Sequence, residues 1–349
     1  MKKWKKGGGD STRAGSRKKI LFVHNARTSF VRDDLEILSA EFAVEELYVP
    51  SPFVIRPLRL FTHVRNSDVV FCWFASWHTL LPVLFAHCLR KPSVLVTGGY
   101  DTANVPEANY GSQRGGIRKW LANTVLRNAT RLIVNSEAAY REAAAIDGLE
   151  SSCIDVVYHG VHAVAFTPHA AKEKLALTVG GVWRENLHRK GLLPFVRLAG
   201  ELPDWNFVLV GKWQDDSIET LRAEAGDNVY FAGFVGEREL HDYYAQASVY
   251  VQLSLHEGFG LSVAEAMTAG CRPLVSNAAS LPEVVGEHGV IVDLHDHAAL
   301  SVALLQAHAA NDEQRKAGAE WVTSSFSMQK RTVELTNIIK KLCDSSIRG

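Results

Sequence analysis

The chain has 349 residues, 47% of them apolar, with 38 Lys and Arg against 38 Asp and Glu. That length suits two domains, each with a real core, and the charge balance gives no global electrostatic case for nucleic acid. Cysteines at 72, 88, 153, 271 and 343 form no C-x-x-C pair and no metal spacing, so they read as reduced, mostly buried thiols of a cytosolic protein.

Residues 1–18 are basic and glycine-rich and lack an apolar h-region, so no signal peptide is expected. They read first as a disordered tail and second as a weak anchor for anionic lipid, with Trp4 at the interface. Lys19–His24 is the first strand, followed by an amphipathic helix over Phe30–Glu41 and a strand over Val44–Val49. Phe53–Arg65 is helical in part. Val69 to Leu89 is uncharged over a length that would span a bilayer, yet it contains Ser76, His78, Thr79, Pro82 and His87. It divides into a buried strand over Asp68–Phe74, an N-cap at Ser76 and a helix over Thr79–Arg90; with the strand Ser93–Thr97 this makes a βαβ unit. A helix over Gly116–Asn128, the strand Arg131–Val134, a helix from Glu137 and the strand Ile154–Tyr158 follow.

A short linker is expected near Phe166-Thr-Pro168, after which the alternation restarts. Strands are predicted at 175–179, 207–210, 229–231, 249–253, 273–276 and 289–292. Helices are predicted near 191–201, 217–225, 237–246, 262–269, 297–309 and 312–323, with a final one over 329–343. Such alternation implies α/β architecture with parallel, doubly wound sheets. The predicted domains are a tail (1–18), an N-terminal Rossmann-like domain (19–166), a C-terminal one (170–325) and a closing helix (326–349).

The stretch Glu257-Gly-Phe-Gly-Leu-Ser-Val-Ala-Glu265 carries the most chemistry. Gly258 and Gly260 permit a sharp turn close to a ligand. Ser262 reads as an N-cap for a short helix that Gly270 closes, and Glu265 is expected in the first helical turn. Such a helix start aims free N–H groups and partial positive charge at the turn, which suits a phosphate. The bland alternative is a capping box in which Glu265 merely returns to the Ser262 N–H, with Glu257 an exposed loop acid. The wider run from Ser254 to Ser276 closely resembles the E-x7-E signature of the retaining GT-B glycosyltransferases, family 4. The resemblance implies two tandem Rossmann-like domains with a closing helix crossing back to the first. It implies that Glu257 meets the donor sugar and that Glu265 holds the ribose hydroxyls. Gly258, Phe259, Gly260 and Leu261 are then expected around the diphosphate.

Val179 to Leu192 is a strand ending in glycines, a polar loop with cations, and a helix beginning at Lys190-Gly191. It resembles the family's glycine-rich loop with its Arg and Lys-Gly pair. Gly181 and Lys190 match. Arg184 is the preferred arginine, with Arg189 able to share the role. Lys212 resembles the strand end under the nucleotide, and Phe234 and Val235 resemble the turn facing the base. Glu283 also fits the pattern and reads as structural.

In the first half, Asp101 corresponds to the Asp of a His-Asp pair that many relatives carry, but Tyr100 stands before it. Arg27, Thr28 and Ser29 are expected on the opposite wall. Asp33-Asp34 and Asp215-Asp216 read as helix-starting or exposed acids, so neither a D-x-D metal site nor a cofactor is expected. The expected enzyme is a retaining, metal-independent hexosyltransferase. It moves a sugar from a UDP- or GDP-linked donor to a glycan or lipid-linked acceptor, in cell-surface polysaccharide or glycolipid synthesis. The basic amphipathic segments Phe53–Arg65 and Arg114–Arg131 read equally as ordinary surface helices and as membrane contacts on the cytoplasmic face. A GT-B-fold nucleotide-sugar epimerase and a non-catalytic nucleotide-sugar-binding partner are the rival readings. An oxidoreductase is disfavoured, since residues 24–29 lack G-x-G-x-x-G.

Overall fold

A computed structural model describes residues 17–345 apart from 55, 165–171, 295 and 297. The linker expected at 166–168 and most of the basic tail lie outside the described residues. The first domain runs β1 (Lys19–His24), α1 (Ser29–Glu41), β2 (Ala43–Tyr48), α2 (Pro57–Asn66), β3 (Val69–Trp73), α3 (Trp77–Cys88), β4 (Ser93–Val96), α4 (Gly116–Asn128), β5 (Arg131–Val134), α5 (Glu137–Ala144) and β6 (Ile154–Val156). The second begins with β7 (Glu173–Val179), α6 (Arg184–Arg189), α7 (Leu192–Glu201), β8 (Asn206–Val210), α8 (Ser217–Glu224), β9 (Val229–Gly233), α9 (Glu237–Gln246) and β10 (Ala247–Gln252). It continues with α10 (Leu261–Thr268), β11 (Arg272–Ser276), α11 (Leu281–Val285), β12 (Val290–Val292), α12 (Ala299–His308), α13 (Asp312–Ser325) and α14 (Met328–Ser345).

Among the described residues the strands form two six-stranded sheets, ordered β2-β1-β3-β4-β5-β6 and β12-β11-β10-β7-β8-β9. Every pairing between neighbouring strands is parallel. Both faces of each sheet are covered, which is why central strands such as β3 and β10 are buried along their whole length. The uncharged stretch from Val69 resolves into β3 and α3, whose N-cap Ser76 forms a reciprocal capping box with Thr79. No described helix is long and apolar enough to cross a membrane. Chain order reverses between β1 and β3 in the first sheet and between β7 and β10 in the second, and ligands of such sheets bind outside the strand C-termini at those points.

The two domains meet along these edges. Ser136 Oγ donates to the Gly258 carbonyl (2.9 Å), and His256 Nε2 lies 2.7 Å from Glu142 Oε1. Glu283 receives the backbone N–H of Glu137 at the start of α5 (2.9 Å) and the Tyr158 hydroxyl (2.6 Å), the structural role expected of it. The closing helix α14 places Leu335, Ile339 and Cys343 in the core beneath the first sheet. Arg331 fastens it there with a forked pair to Asp34, at 2.6 and 2.8 Å, and with bonds to the carbonyls of Val157 and Tyr158. Asp34 is thus no exposed acid. Its carboxylate is fully buried, because the returning helix brings a guanidinium that a local reading of Asp33-Asp34 does not foresee.

Candidate functional site

The switch point of the second sheet assembles the groups that the sequence singles out. From β7 comes Val179-Gly180-Gly181, and from the end of β10 come Ser254 and Glu257. The cations do not sit in a loop. Residues 184–189 form the short helix α6, which holds Arg189 and Lys190 at its inner end and leaves Arg184 exposed at its start. Gly191 adopts φ +65°, and a Cβ there would lie 2.0 Å from the Leu253 carbonyl oxygen. Only glycine lets this backbone press against the end of β10. A Cβ on Gly180 would meet the Lys190 stem at 2.9 Å, so this glycine leaves the lysine its path.

Lys190 Nζ lies 2.9 Å from Glu257 Oε1, and the Ser254 hydroxyl donates to the same oxygen (2.8 Å). Arg189 Nη1 is 4.0 Å away. Burial opposes ionisation of Glu257, but Lys190, Arg189 and these hydrogen bonds outweigh it and hold the carboxyl down at about 2. Glu257 is therefore an ionised, part-buried carboxylate and not an exposed loop acid. The Arg189 fork is occupied by Asn186 Oδ1 and the His256 carbonyl, and it stacks over the Tyr110 ring at 4.7 Å. Of the two arginines left open by the sequence, Arg189 is the one brought to Glu257.

The turn after Glu257 is glycine for two separate reasons. A Cβ on Gly258 would lie 2.9 Å from the Gly98 carbonyl oxygen of the first domain, and Gly260 adopts φ +100°. Gly260, not Ser262, is the N-cap of α10, and the helix starts at Leu261. Ser262 lies inside the first turn with its Oγ 2.9 Å from the Tyr250 hydroxyl, so no capping box forms. Glu265 consequently falls in the second helical turn, where the Tyr244 hydroxyl donates to it (3.1 Å). Burial raises its carboxyl to about 7, partly offset by Tyr244. The Phe259 side chain is turned away, into an aromatic cluster with Tyr158, His159 and Phe326. It offers backbone alone to a ligand.

Gly181, Lys212 and Phe234 lie just past the adjacent ends of β7, β8 and β9, so the structure collects them along one rim. Lys212 is exposed, Phe234 is 81% exposed, and Val235 is half-buried. Asp215 is exposed and accepts the backbone N–H of Arg184 and of Ser217, a helix-starting acid as expected. Among the described residues no group of three or more His, Cys, Asp or Glu side chains could hold a metal ion.

In the first domain Asp101 is buried. Its carboxylate accepts the backbone N–H of Ala75 and Gly98, both at 2.7 Å, and its carbonyl accepts the Ser112 hydroxyl. It shapes the wall of a cavity of about 420 Å³ that Asn25, Trp77, Tyr100 and Arg118 also line. Phe74, on the same wall, is held at φ +68°, a strained geometry for an aromatic residue. Arg27 instead lies over the Tyr48 ring at 4.2 Å. Sequence reasoning missed the chain Thr102–Glu142–His256, which joins this wall to the residue before Glu257. His256 beside the motif was its only visible signal.

Residues 162–320 match the family model described as glycosyl transferases group 1. Among curated proteins the chain is 35% identical over 135 residues to O-antigen chain mannosyltransferase B of Escherichia coli, covering 37% of this chain and 35% of that one. It is 28% identical over 246 residues to D-inositol 3-phosphate glycosyltransferase of Mycolicibacterium smegmatis, covering 64% and 54%. The chain thus spans about a third to a half of the curated relatives it matches. Among solved structures, Anabaena HepE in complex with UDP and glucose superposes with a TM-score of 0.74 at 15% identity, covering 93% of this chain and all of that one. Sucrose-phosphate synthase from Thermosynechococcus elongatus gives 0.73 at 20% identity, with 94% and 100% covered. These likenesses establish the GT-B fold for the two sheets.

Proposed function

We propose, from a second half that matches the glycosyl transferases group 1 model over residues 162–320 and from the GT-B frame, a retaining glycosyltransferase that uses a nucleotide-diphosphate sugar. The observation that carries this reading is the meeting of Lys190, Glu257 and the start of α10 at the switch point of the second sheet. The diphosphate lies between Lys190 and the first N–H groups of α10, with the ribose on Glu265 and the base toward Phe234 and Val235. Lys190 has three donors, so it keeps Glu257 and takes a phosphate oxygen. The recorded contacts of the Glu257 carboxylate fall on Oε1, which leaves Oε2 for the sugar hydroxyls.

The sugar leaves its phosphate as the acceptor hydroxyl attacks from the same face, and a departing phosphate oxygen takes the hydroxyl proton. Lys190, Arg189 and the helix start stabilise the charge that develops on the diphosphate, which supports metal-independent transfer. Asp101 positions the acceptor wall through the backbone and does not touch the acceptor. The acceptor is a glycan or a lipid-linked glycan of cell-surface polysaccharide synthesis, reached at the cytoplasmic face of the membrane. Exposed Phe53, Leu58, Ile117 and Trp120 on and beside α2 and α4, among Arg56, Arg59, Arg118 and Lys119, support that contact.

GDP-mannose is the first donor to test, because the curated relatives include mannosyltransferases. A screen of UDP- and GDP-sugars by thermal shift, with and without EDTA, tests the reading. Stabilisation by one nucleotide family that persists in EDTA is expected. Stabilisation that needs added magnesium or manganese would contradict metal independence, and no stabilisation by any donor would contradict the donor site.

A further inference from the structure

Between β4 and α4 the first domain sends a loop across to the second. Asn109 at φ +50° and Gly111 at φ +102° fold it back on itself, and Val105 and Tyr110 exchange backbone hydrogen bonds of 2.9 and 3.0 Å. A Cβ on Gly111 would lie 2.0 Å from the Ala103 carbonyl oxygen, so only glycine closes the loop this tightly. The apolar side of the loop, Ala103, Val105 and Ala108, packs with Tyr110 against Leu255 of the second domain.

This contact falls beside the donor carboxylate. Leu255 and His256 are the two residues before Glu257. The Leu255 N–H donates to the Arg189 carbonyl (2.8 Å), and Arg189 Nη1 donates to the His256 carbonyl (3.3 Å). From the first domain, the Tyr110 ring lies under the Arg189 guanidinium at 4.7 Å and stands 5.4 Å from the His256 ring. The His256 ring is also held from α5. Its Nε2 lies 2.7 Å from Glu142 Oε1, and the Thr102 hydroxyl donates to the other oxygen of Glu142 (2.9 Å). Thr102, Arg189 and His256 are buried. Two first-domain side chains thus grip the two residues that flank the Glu257 carboxylate. One of these, His256, adjoins it in the chain, and the other, Arg189, is 4.0 Å away in space. Contacts that only glued the domains together would have no need to fall on those two. A cation over a desolvated ring and a hydrogen bond to a buried imidazole fix direction as well as distance.

We propose that Tyr110 and Glu142 are positioning residues of the donor site: through Arg189 and His256 they aim the Glu257 carboxylate at the donor sugar. The first domain then takes part in recognising the donor sugar and does not serve the acceptor alone. The proposal rests on the transferase reading and adds two residues to its sugar subsite. Both act through second-domain side chains. Lys190 and the start of α10 are bound by neither, so the diphosphate is held without them.

The test uses the full chain, with GDP and GDP-mannose as probes, or UDP and UDP-glucose if the thermal-shift screen selects uridine. Calorimetry should show Tyr110→Leu and Glu142→Ala weakening the nucleotide sugar by about tenfold or more, and the nucleoside diphosphate by less than about threefold. The retained diphosphate affinity shows that each variant folds. Tyr110→Phe keeps the ring face and Glu142→Gln keeps an acceptor oxygen for His256, so both should bind within about threefold of wild type. In a Glu257→Gln background Tyr110→Leu should cost nothing more, because its effect passes through that carboxylate. Nucleotide sugar bound at wild-type affinity by Tyr110→Leu and Glu142→Ala overturns the proposal. So does an equal loss of nucleotide sugar and nucleoside diphosphate, the mark of domain packing alone, or an undiminished loss in the Glu257→Gln background. Glu142 stands on α5, away from the loop, so its two variants decide the matter if Tyr110→Leu does not fold. If the unmutated chain binds no nucleotide sugar, the transferase reading falls and this proposal with it. If it binds one and the variants bind it as tightly, the proposal falls alone.

Discussion

Lys190 and Glu257 are 67 positions apart in the chain, yet Nζ and Oε1 lie 2.9 Å apart at the switch point of the second sheet. Glu257 holds Lys190, so the direction of the lysine is set by the protein's own side chains. Pre-set charge of this kind is what a departing diphosphate requires. Lys190→Ala should weaken binding of the nucleoside diphosphate by about 1.5–3 kcal/mol, the worth of a charge-assisted hydrogen bond. It should leave nucleoside binding nearly intact. Calorimetry with both ligands checks this, and equal losses would move Lys190 to the base pocket or the scaffold.

Glu265 gives the site a pH dependence. Its carboxyl titrates at about 7 instead of the ordinary 4.5, chiefly because of burial. In the proposed site the ribose hydroxyls donate to Glu265 and need its ionised form, so nucleotide affinity should rise by about tenfold from roughly pH 6 to pH 8. Glu265→Gln should flatten that rise. The sign for folding is opposite: the native state holds this proton more tightly than the unfolded chain. Its stabilising contribution is complete below about 4.5 and lost as pH rises through about 7. Relative to wild type, the Gln variant should therefore gain stability with rising pH in urea titrations.

Much of this was legible in the chain. The strand and helix alternation gave both sheets, because parallel strands covered on both faces are continuous apolar runs. Glu257, Lys190 and the glycines were visible because short spacing carries them. Three features were not. The N-cap moved from Ser262 to Gly260 because the backbone at Gly260 turns left-handed and α10 starts two residues earlier. Arg189 rather than Arg184 faces Glu257 because α6 is a helix and not a loop. Asp34 is buried because Arg331, 297 positions away, returns to it. Each depends on contacts that no local window contains.

The Arg331–Asp34 pair should be a principal fastening of the closing helix. Arg331 is 2% exposed and Asp34 fully buried. Arg331→Ala leaves the carboxylate unpaired in the core and should cost about 3–5 kcal/mol in urea unfolding. Replacing both, as Asp34→Leu with Arg331→Met, should cost less than the single change. A single variant with wild-type stability would show that the pair contributes nothing.

Gly258 should control how closely the domains meet. A Cβ there would lie 2.9 Å from the Gly98 carbonyl oxygen, so Gly258→Val must push the first domain away. Transfer should fall by on the order of a hundredfold, since about an ångström of misplacement costs that much in a positioned reaction. Nucleotide affinity should change little. Steady-state transfer rates alongside calorimetry separate the two effects, and transfer at the wild-type rate would rule out this closure.

The account stands or falls on the division of labour between Glu257 and Glu265. The most direct measurement takes Glu257→Gln and Glu265→Gln through one pair of assays: calorimetric affinity for the nucleoside diphosphate, and sugar transfer from the matching donor. Glu257→Gln should keep the affinity and lose most of the transfer, and Glu265→Gln should lose affinity for nucleotide and nucleotide sugar alike. Full affinity in Glu265→Gln together with full transfer in Glu257→Gln would contradict the assignment of this site.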